Sequence, residues 1–121
     1  MPRASSTSAG ATYLDRARRI EEVRASARRA ASRLVSIRRV LLFGSLQTGG
    51  ATPRSDADVL VVLDQSEHTD PRQRIPDILR AMAPLPCPID LFVVTVEELD
   101  RARRTRDPVA VLALESGLDL L

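Results

Sequence analysis

Residues 40–63 read Val40-Leu41-Leu42-Phe43-Gly44-Ser45-Leu46-Gln47-Thr48-Gly49-Gly50-Ala51-Thr52-Pro53-Arg54-Ser55-Asp56-Ala57-Asp58-Val59-Leu60-Val61-Val62-Leu63. Residues 40–43 form a continuous apolar run that ends at Gly44, and residues 57–63 form a second run rich in β-branched side chains. Short apolar runs of this kind predict buried strands. Residues 47–55 between them are rich in turn formers. The chain is therefore expected to fold around two neighbouring strands.

Further helices and one more strand are predicted before and after these two strands. In residues 13–37, apolar side chains recur in steps of three, four or seven, which predicts a long helix with one apolar and one arginine-rich face. The pattern then predicts a helix over 70–83, a strand over 89–94, a short helix over 96–104 and a last helix from 107 that ends at Gly117. Thr95 and Glu98 have the spacing of a capping box.

This order predicts an α/β or α+β fold, a short mixed sheet flanked by helices with a long N-terminal helix. The length of 121 residues fits one domain. Residues 1–12 are small and polar and are expected to form a flexible tail, so the folded domain covers 13–121. Neither a membrane span nor a secretory signal is expected, and one cysteine, Cys87, rules out an internal disulfide. A cytoplasmic protein is expected.

The net charge of +2 conceals an asymmetry. Residues 1–40 hold ten arginines and three acidic residues, a net +7, whereas residues 41–121 hold eight arginines and thirteen acidic residues, a net −5. A basic helix can attract nucleic acid or an acidic partner. The acidic body and an aromatic content of only 2% make a nucleic-acid binder the weaker interpretation. The long helix face also suggests protein contacts, including a homo-oligomer.

The candidate site lies where these strands begin and end. Gly44 follows the first strand and permits close approach of the backbone to a ligand, and Ser45 stands where a helix could begin and hold phosphate. Asp56 and Asp58, two residues apart, share one face of the second strand. Asp90 interrupts an otherwise apolar strand. If the strand of Asp90 neighbours that of Asp58, three carboxylates meet at one end of the sheet. Such a set suits a divalent cation such as Mg²⁺, which proteins hold with carboxylates and substrate phosphates.

This combination resembles the DNA polymerase β-like nucleotidyltransferase superfamily. The Gly-Ser pair, the Asp-x-Asp about ten residues later and the lone Asp in a later strand are the shared features, and they are most similar to the small minimal nucleotidyltransferase (MNT) proteins. Residues 113–117, Ala-Leu-Glu-Ser-Gly, also resemble the ending of that family. The resemblance covers residues 13–121 in the order of elements.

The resemblance implies a role for each residue. Gly44 and Ser45 would contact the triphosphate, Asp56 and Asp58 would hold two Mg²⁺ ions, and Asp90 would complete the site and help activate an acceptor hydroxyl. The reaction implied is transfer of a nucleoside monophosphate, AMP from ATP, to that hydroxyl. Since 121 residues leave no room for a large substrate domain, another molecule is expected to present the acceptor. The family suggests a HEPN-type toxin partner, with this chain as its antitoxin.

The chain departs from the family pattern after the serine. Many relatives have arginines one and three residues later, where this chain has Leu46 and Thr48, although Gly49 is kept. The expected effect is less positive charge near the phosphates, for which Arg54 is a candidate substitute.

Alternative functions remain open at this point. The second hypothesis is a non-catalytic antitoxin or nucleotide-binding module that neutralises its partner by contact, for which the acidic residues would be dispensable. A drug-modifying nucleotidyltransferase is a further alternative, but such relatives carry an additional domain. Replacing Asp56 and Asp58 discriminates the first two hypotheses.

Overall fold

The computed structural model describes the backbone of residues 3–44, 46 and 56–121, and side chains from residue 15 onward within these ranges. Helix α1 spans Arg3–Arg33, and strands β1 (Ile37–Phe43) and β2 (Ala57–Leu63) follow. A 3₁₀ turn at Pro71–Arg74 leads into α2 (Ile75–Met82), which β3 (Ile89–Thr95) and α3 (Val96–Arg104) follow. Helix α4 (Pro108–Ser116) and the short strand β4 (Leu118–Asp119) end the chain.

The strands form one mixed sheet in the order β3-β2-β1-β4. Strands β1 and β2 are antiparallel, as are β1 and β4, whereas β2 and β3 are parallel. Strand β1 is buried on both faces because helices cover the sheet on both sides. The predicted α+β fold with a mixed sheet is confirmed.

Helices α1 and α2 cover one face of the sheet. Side chains of Val23, Ala27 and Ala30 from α1 are fully or almost fully buried in the same cluster as Val59 and Val61 of β2. Helices α3 and α4 cover the other face, where Leu41, Phe43, Leu60 and Val62 pack with Leu99, Ala110 and Ala113. The site lies at the end of this second face, where β2 begins.

The apolar face of α1 packs into the core. Val23, Ala27 and Ala30 are buried there, so this part of the helix is integral to the fold. Protein contacts by the helix, including self-association, stay a prediction. The backbone is helical from Arg3, inside the segment predicted as a tail, but the domain boundary at residue 13 stays a prediction because side-chain contacts are described only from Asp15.

The arginine-rich face of α1 binds backbone carbonyls of the same chain. Arg29 donates to the carbonyls of Met82 and Pro84, and Arg33 donates to that of Ala81, so both side chains satisfy carbonyls at the C-terminal end of α2. Arg24 donates to the Asp119 carbonyl on β4. These three arginines of the basic N-terminal segment therefore help to stabilise the fold.

Other differences follow from local geometry. The predicted helix over 70–83 is divided: Asp70 caps the 3₁₀ turn by accepting from the Arg72 amide, and a regular helix begins at Ile75. Strand β4, which the sequence did not predict, has only two residues and pairs with Leu41 and Leu42. Among the described residues, no helix has both the length and the apolar character needed to cross a membrane.

Candidate functional site

Asp58 and Asp90 are brought together by the pairing of β2 with β3. They are directly opposite one another in the parallel register, one residue after Ala57 and Ile89. Neighbouring strands lie about 4.8 Å apart, and opposite residues of a parallel pair direct their side chains to the same face. The sheet backbone itself therefore places both carboxylates at one end of the face covered by α3 and α4.

The electrostatics of Asp58 show that three acidic residues act on one another here. Burial raises the pKa of the half-buried Asp58 carboxyl, and the negative charges of Asp90 and Asp56 raise it further. Asp56, just before β2, and Asp90 are both exposed. A carboxylate among like charges favours binding either a proton or a cation.

Gly44 approaches this cluster from the end of β1. Its φ of +80° lies in the left-handed region, which glycine adopts without steric cost. A Cβ at this position would clash with the Asp58 carboxylate and lie 3.2 Å from its carboxyl carbon. Phe43, the preceding residue, is the register partner of Asp58. The absent side chain thus lets the Asp58 carboxylate lie against the backbone of Gly44. The predicted contact of Gly44 with a ligand stays a prediction.

The other residues singled out in the sequence belong to the segment between β1 and β2. Ser45 lies outside the described residues, as do Thr48, Gly49 and Arg54. Leu46 is described and is only 3% exposed, in the core cluster with Val40 and Leu42. Its position therefore serves core packing.

The donor set fits a cation that also binds substrate oxygens. Within residues 15–44, 46 and 56–121, no three His, Cys, Asp or Glu side chains converge tightly enough to hold a metal ion by themselves. The opposed carboxylates of Asp58 and Asp90 nevertheless offer the hard oxygen ligands that Mg²⁺ prefers, and phosphates would complete its coordination. The metal-binding role of Asp56, Asp58 and Asp90 stays a prediction.

A cavity of about 520 Å³ lies elsewhere in the molecule. Leu63 and Gln65, at the opposite end of β2 from Asp58, line it together with Leu34 and Ile78. Its position separates it from the carboxylates, so we do not assign the chemistry to it.

Sequence reasoning missed the role of Arg74. This side chain, 3% exposed, makes a bidentate ion pair with Glu98, with Nη1–Oε1 at 2.7 Å and Nη2–Oε2 at 3.0 Å. It also donates to the carbonyls of His68 and Val93. Glu98 and Thr95 form the predicted capping box. An arginine in a polar segment, followed by Ile75-Pro76, gave no periodic signal of burial.

We expect Gly44→Ala to impair the site more than the fold. The left-handed backbone should cost about 1–2 kcal/mol of unfolding free energy, and the added Cβ should displace the Asp58 carboxylate. Thermal unfolding measures the first effect, and nucleotide binding measures the second.

Gly44→Asn separates the effect of the left-handed backbone from that of the added Cβ. Asn tolerates the left-handed region better than Ala but has the same Cβ. It should therefore recover stability without recovering binding. Full binding by either variant would contradict the proposed contact between Gly44 and the ligand.

Comparison with known proteins identifies the family and the fold. A family model described as a nucleotidyltransferase domain matches residues 24–117. The chain is also similar in structure to a candidate nucleotidyltransferase from Sulfolobus solfataricus, with a TM-score of 0.65 and 18% identity over 89% of this chain and 84% of the other. This likeness concerns the fold. No curated protein sequence matches the chain.

Proposed function

Since the chain belongs to the nucleotidyltransferase domain family, we propose that it transfers a nucleoside monophosphate, AMP from ATP, to a hydroxyl group of an acceptor. The observation that carries the proposal is the placement of Asp58 opposite Asp90 on adjacent parallel strands, next to Gly44. In this reaction, the acceptor oxygen forms a bond to the α-phosphorus while the bond to the β-phosphate oxygen breaks and pyrophosphate leaves.

Each of the three carboxylates has its own role in the proposed reaction. Asp56 and Asp58, at the start of β2, would hold Mg²⁺, and Asp90 would complete the set and accept the proton of the attacking hydroxyl. Bound divalent cations supply charge neutralisation for the attacking and leaving oxygens. Asp58 is best suited to hold a cation because its burial and its two acidic neighbours already disfavour the bare anion. Ser45 and Gly44 would contact the triphosphate.

The acceptor is proposed to belong to a protein partner. The similarity to minimal nucleotidyltransferases leads us to a HEPN-type toxin, with this chain as the antitoxin that modifies it. The carboxylates of Asp56 and Asp90 are exposed, so a side chain presented by another protein can reach them from solvent.

The chain should bind ATP only together with a divalent cation. The charges of Asp56, Asp58 and Asp90 would repel a bare triphosphate, whereas bound Mg²⁺ removes this repulsion. Calorimetry with ATP in Mg²⁺ and in EDTA measures the difference, which we expect to exceed tenfold in Kd, about 1.4 kcal/mol.

Transfer itself is measured with ATP labelled in its α-phosphate and a co-purified partner protein. Label should accumulate on the partner and pyrophosphate should be released in equal amount. Equal ATP affinity in Mg²⁺ and EDTA, or label lost only as free AMP, would count against the proposal.

A further inference from the structure

Helix α4 is apolar on its outer side as well as on the side that faces the sheet. Ala110 and Ala113 are buried against the sheet. On the outer side, Leu112 is 44% exposed, and Val109 and Val111 on either side of it are only partly buried. Single exposed apolar side chains are common, but a helix that is apolar all round is normally covered all round. The outer side of α4 is therefore a candidate interaction surface.

Two charged residues stand at opposite ends of this surface. Arg106 is exposed just before α4 begins, and Glu115 is exposed in its last turn. In the part of the chain that the structure describes, neither side chain has a hydrogen bond or an ion pair. The nearby Arg103 and Arg104, in contrast, both pair with Asp100. The outer side of α4 thus has an unpaired positive charge at its N-terminal end and an unpaired negative charge at its C-terminal end.

Arg106 also has an uncommon backbone conformation. Its φ of +58° lies in the left-handed region, just after the end of α3, where glycine is the usual residue. The Asp107 amide donates to the Ala102 carbonyl and the Arg106 amide to the Arg103 carbonyl, as at many helix ends of this kind. A side chain in this conformation lowers stability relative to glycine. An arginine kept there points to a contact that the isolated chain does not make.

We propose that the outer side of α4 binds the same surface of a second copy of this chain, with the two helices antiparallel about a twofold axis. This orientation brings the N-terminal end of each helix to the C-terminal end of the other, so Arg106 of each copy lies opposite Glu115 of its partner. Leu112 then packs beside Val109 of the partner, close to the axis.

The charges favour this occupant and this orientation. A parallel pair of helices would place Arg106 beside Arg106 and Glu115 beside Glu115, whereas the antiparallel pair opposes unlike charges at both ends. A nucleic acid fits less well, because its uniform negative charge would face Glu115. An interface centred on one helix of nine residues is small, so we expect a weak, concentration-dependent dimer. The inference is independent of the proposed nucleotide chemistry.

Sedimentation equilibrium of the full chain over a wide range of concentrations measures the dissociation constant of the dimer. Arg106→Glu and Glu115→Arg should each weaken dimerisation at least about tenfold, because each opposes like charges at both ends of the interface. Arg28→Glu and Glu67→Arg are matched controls, since both residues are exposed on other elements and have no ion pair among the described residues. Both controls should dimerise like the wild type. Arg28 lies on α1, so its reversal also distinguishes this interface from self-association through α1.

A mixture of the Arg106→Glu and Glu115→Arg chains separates direct contact from a structural effect. In a mixed pair, each reversed charge faces an unlike charge again, so mixed dimers should form about as tightly as wild-type dimers although either variant alone dimerises weakly. Absence of this recovery between folded variants overturns the inference. So does a wild-type chain that stays monomeric at every concentration, or an Arg28→Glu chain that loses dimerisation to the same extent.

Arg106→Gly tests the same contact without reversing a charge. Glycine suits the left-handed backbone, so the melting temperature should stay level or rise when it is measured at a dilution where the wild type is monomeric. Dimerisation should weaken, because the charge opposite Glu115 is lost. An Arg106→Gly chain that dimerises like the wild type would overturn the role of Arg106, whereas lower stability of the monomer would show that its side chain serves the fold instead.

Discussion

Asp58→Asn is expected to reduce nucleotidyl transfer at least about 100-fold while leaving the fold intact. The substitution keeps the size of the side chain but removes the charge that a metal ligand needs. Transfer of labelled AMP onto the co-purified partner measures the effect. Asp64→Asn is a suitable control, since Asp64 follows the other end of β2 and its carboxylate pairs with the exposed Arg38 at 2.7 Å. This control should remain active.

The thermal stability of Asp58→Asn without metal should not fall with its activity and should stay level or rise. Burial and the charges of Asp90 and Asp56 raise the pKa of Asp58, so its charged form is disfavoured in the folded chain at neutral pH. This penalty disappears as the pH falls and the carboxyl is protonated. Asn removes it at every pH, so the variant without metal should unfold at an equal or higher temperature at pH 7.

Binding of Mg²⁺–ATP should stabilise Asp58→Asn less than the wild type, because less ligand binds its native state. A folded Asp58→Asn variant with full activity would falsify the catalytic role and favour an antitoxin that acts by contact alone.

Arg74→Met should be the most destabilising exchange among those considered, at about 2–4 kcal/mol of unfolding free energy. It removes the buried guanidinium that joins the His68 carbonyl, the Val93 carbonyl and the Glu98 carboxylate. Glu98 retains 30% side-chain exposure, so solvent screens part of the loss and the estimate is lower than for a fully buried pair. Urea unfolding monitored by circular dichroism measures the change. Arg80→Met, which breaks the exposed pair with Asp77, should cost less than about 1 kcal/mol.

The same pair predicts a specific pH dependence. The hydrogen bonds from Arg74 lower the pKa of Glu98 from 4.5 to about 2. A folded-state pKa below the unfolded value stabilises the chain above about pH 4.5, and this contribution is lost as the pH falls toward 2. Arg74→Met should flatten the decline of stability across that interval. An undiminished decline in the variant would show that other groups govern acid unfolding.

The sequence predicted those parts of the molecule that have a local signature. The strand beginning at Ala57 was evident from its apolar run, and the capping box at Thr95 and Glu98 was evident from spacing. The approach of Asp90 to Asp58 was predicted only conditionally, because it depends on which strands are neighbours. The parallel pairing of β2 with β3 meets that condition.

The contacts that were not predicted depend on residues distant in sequence. Arg74 is buried because Glu98, 24 residues later, supplies a carboxylate for it. The arginines of α1 are separated by 48 or more residues from the carbonyls of α2 that they satisfy. A local arginine-rich pattern indicates only an exposed helix face, and tertiary structure alone reveals which carbonyls lie within reach.

The pairing of Asp58 with Asp90 also makes the connection before β3 sensitive to its length. An added residue between α2 and β3 that shifted β3 by one position along β2 would bring a different residue opposite Asp58 and turn Asp90 to the opposite face of the sheet. The Ala57 amide, bonded to the Pro88 carbonyl at 3.1 Å, would lose its present partner as well. Three prolines in residues 84–88 limit the backbone's freedom to absorb such a change. Recombination with relatives should therefore preserve residues 84–90 as one block with β2, even where the surrounding loops differ.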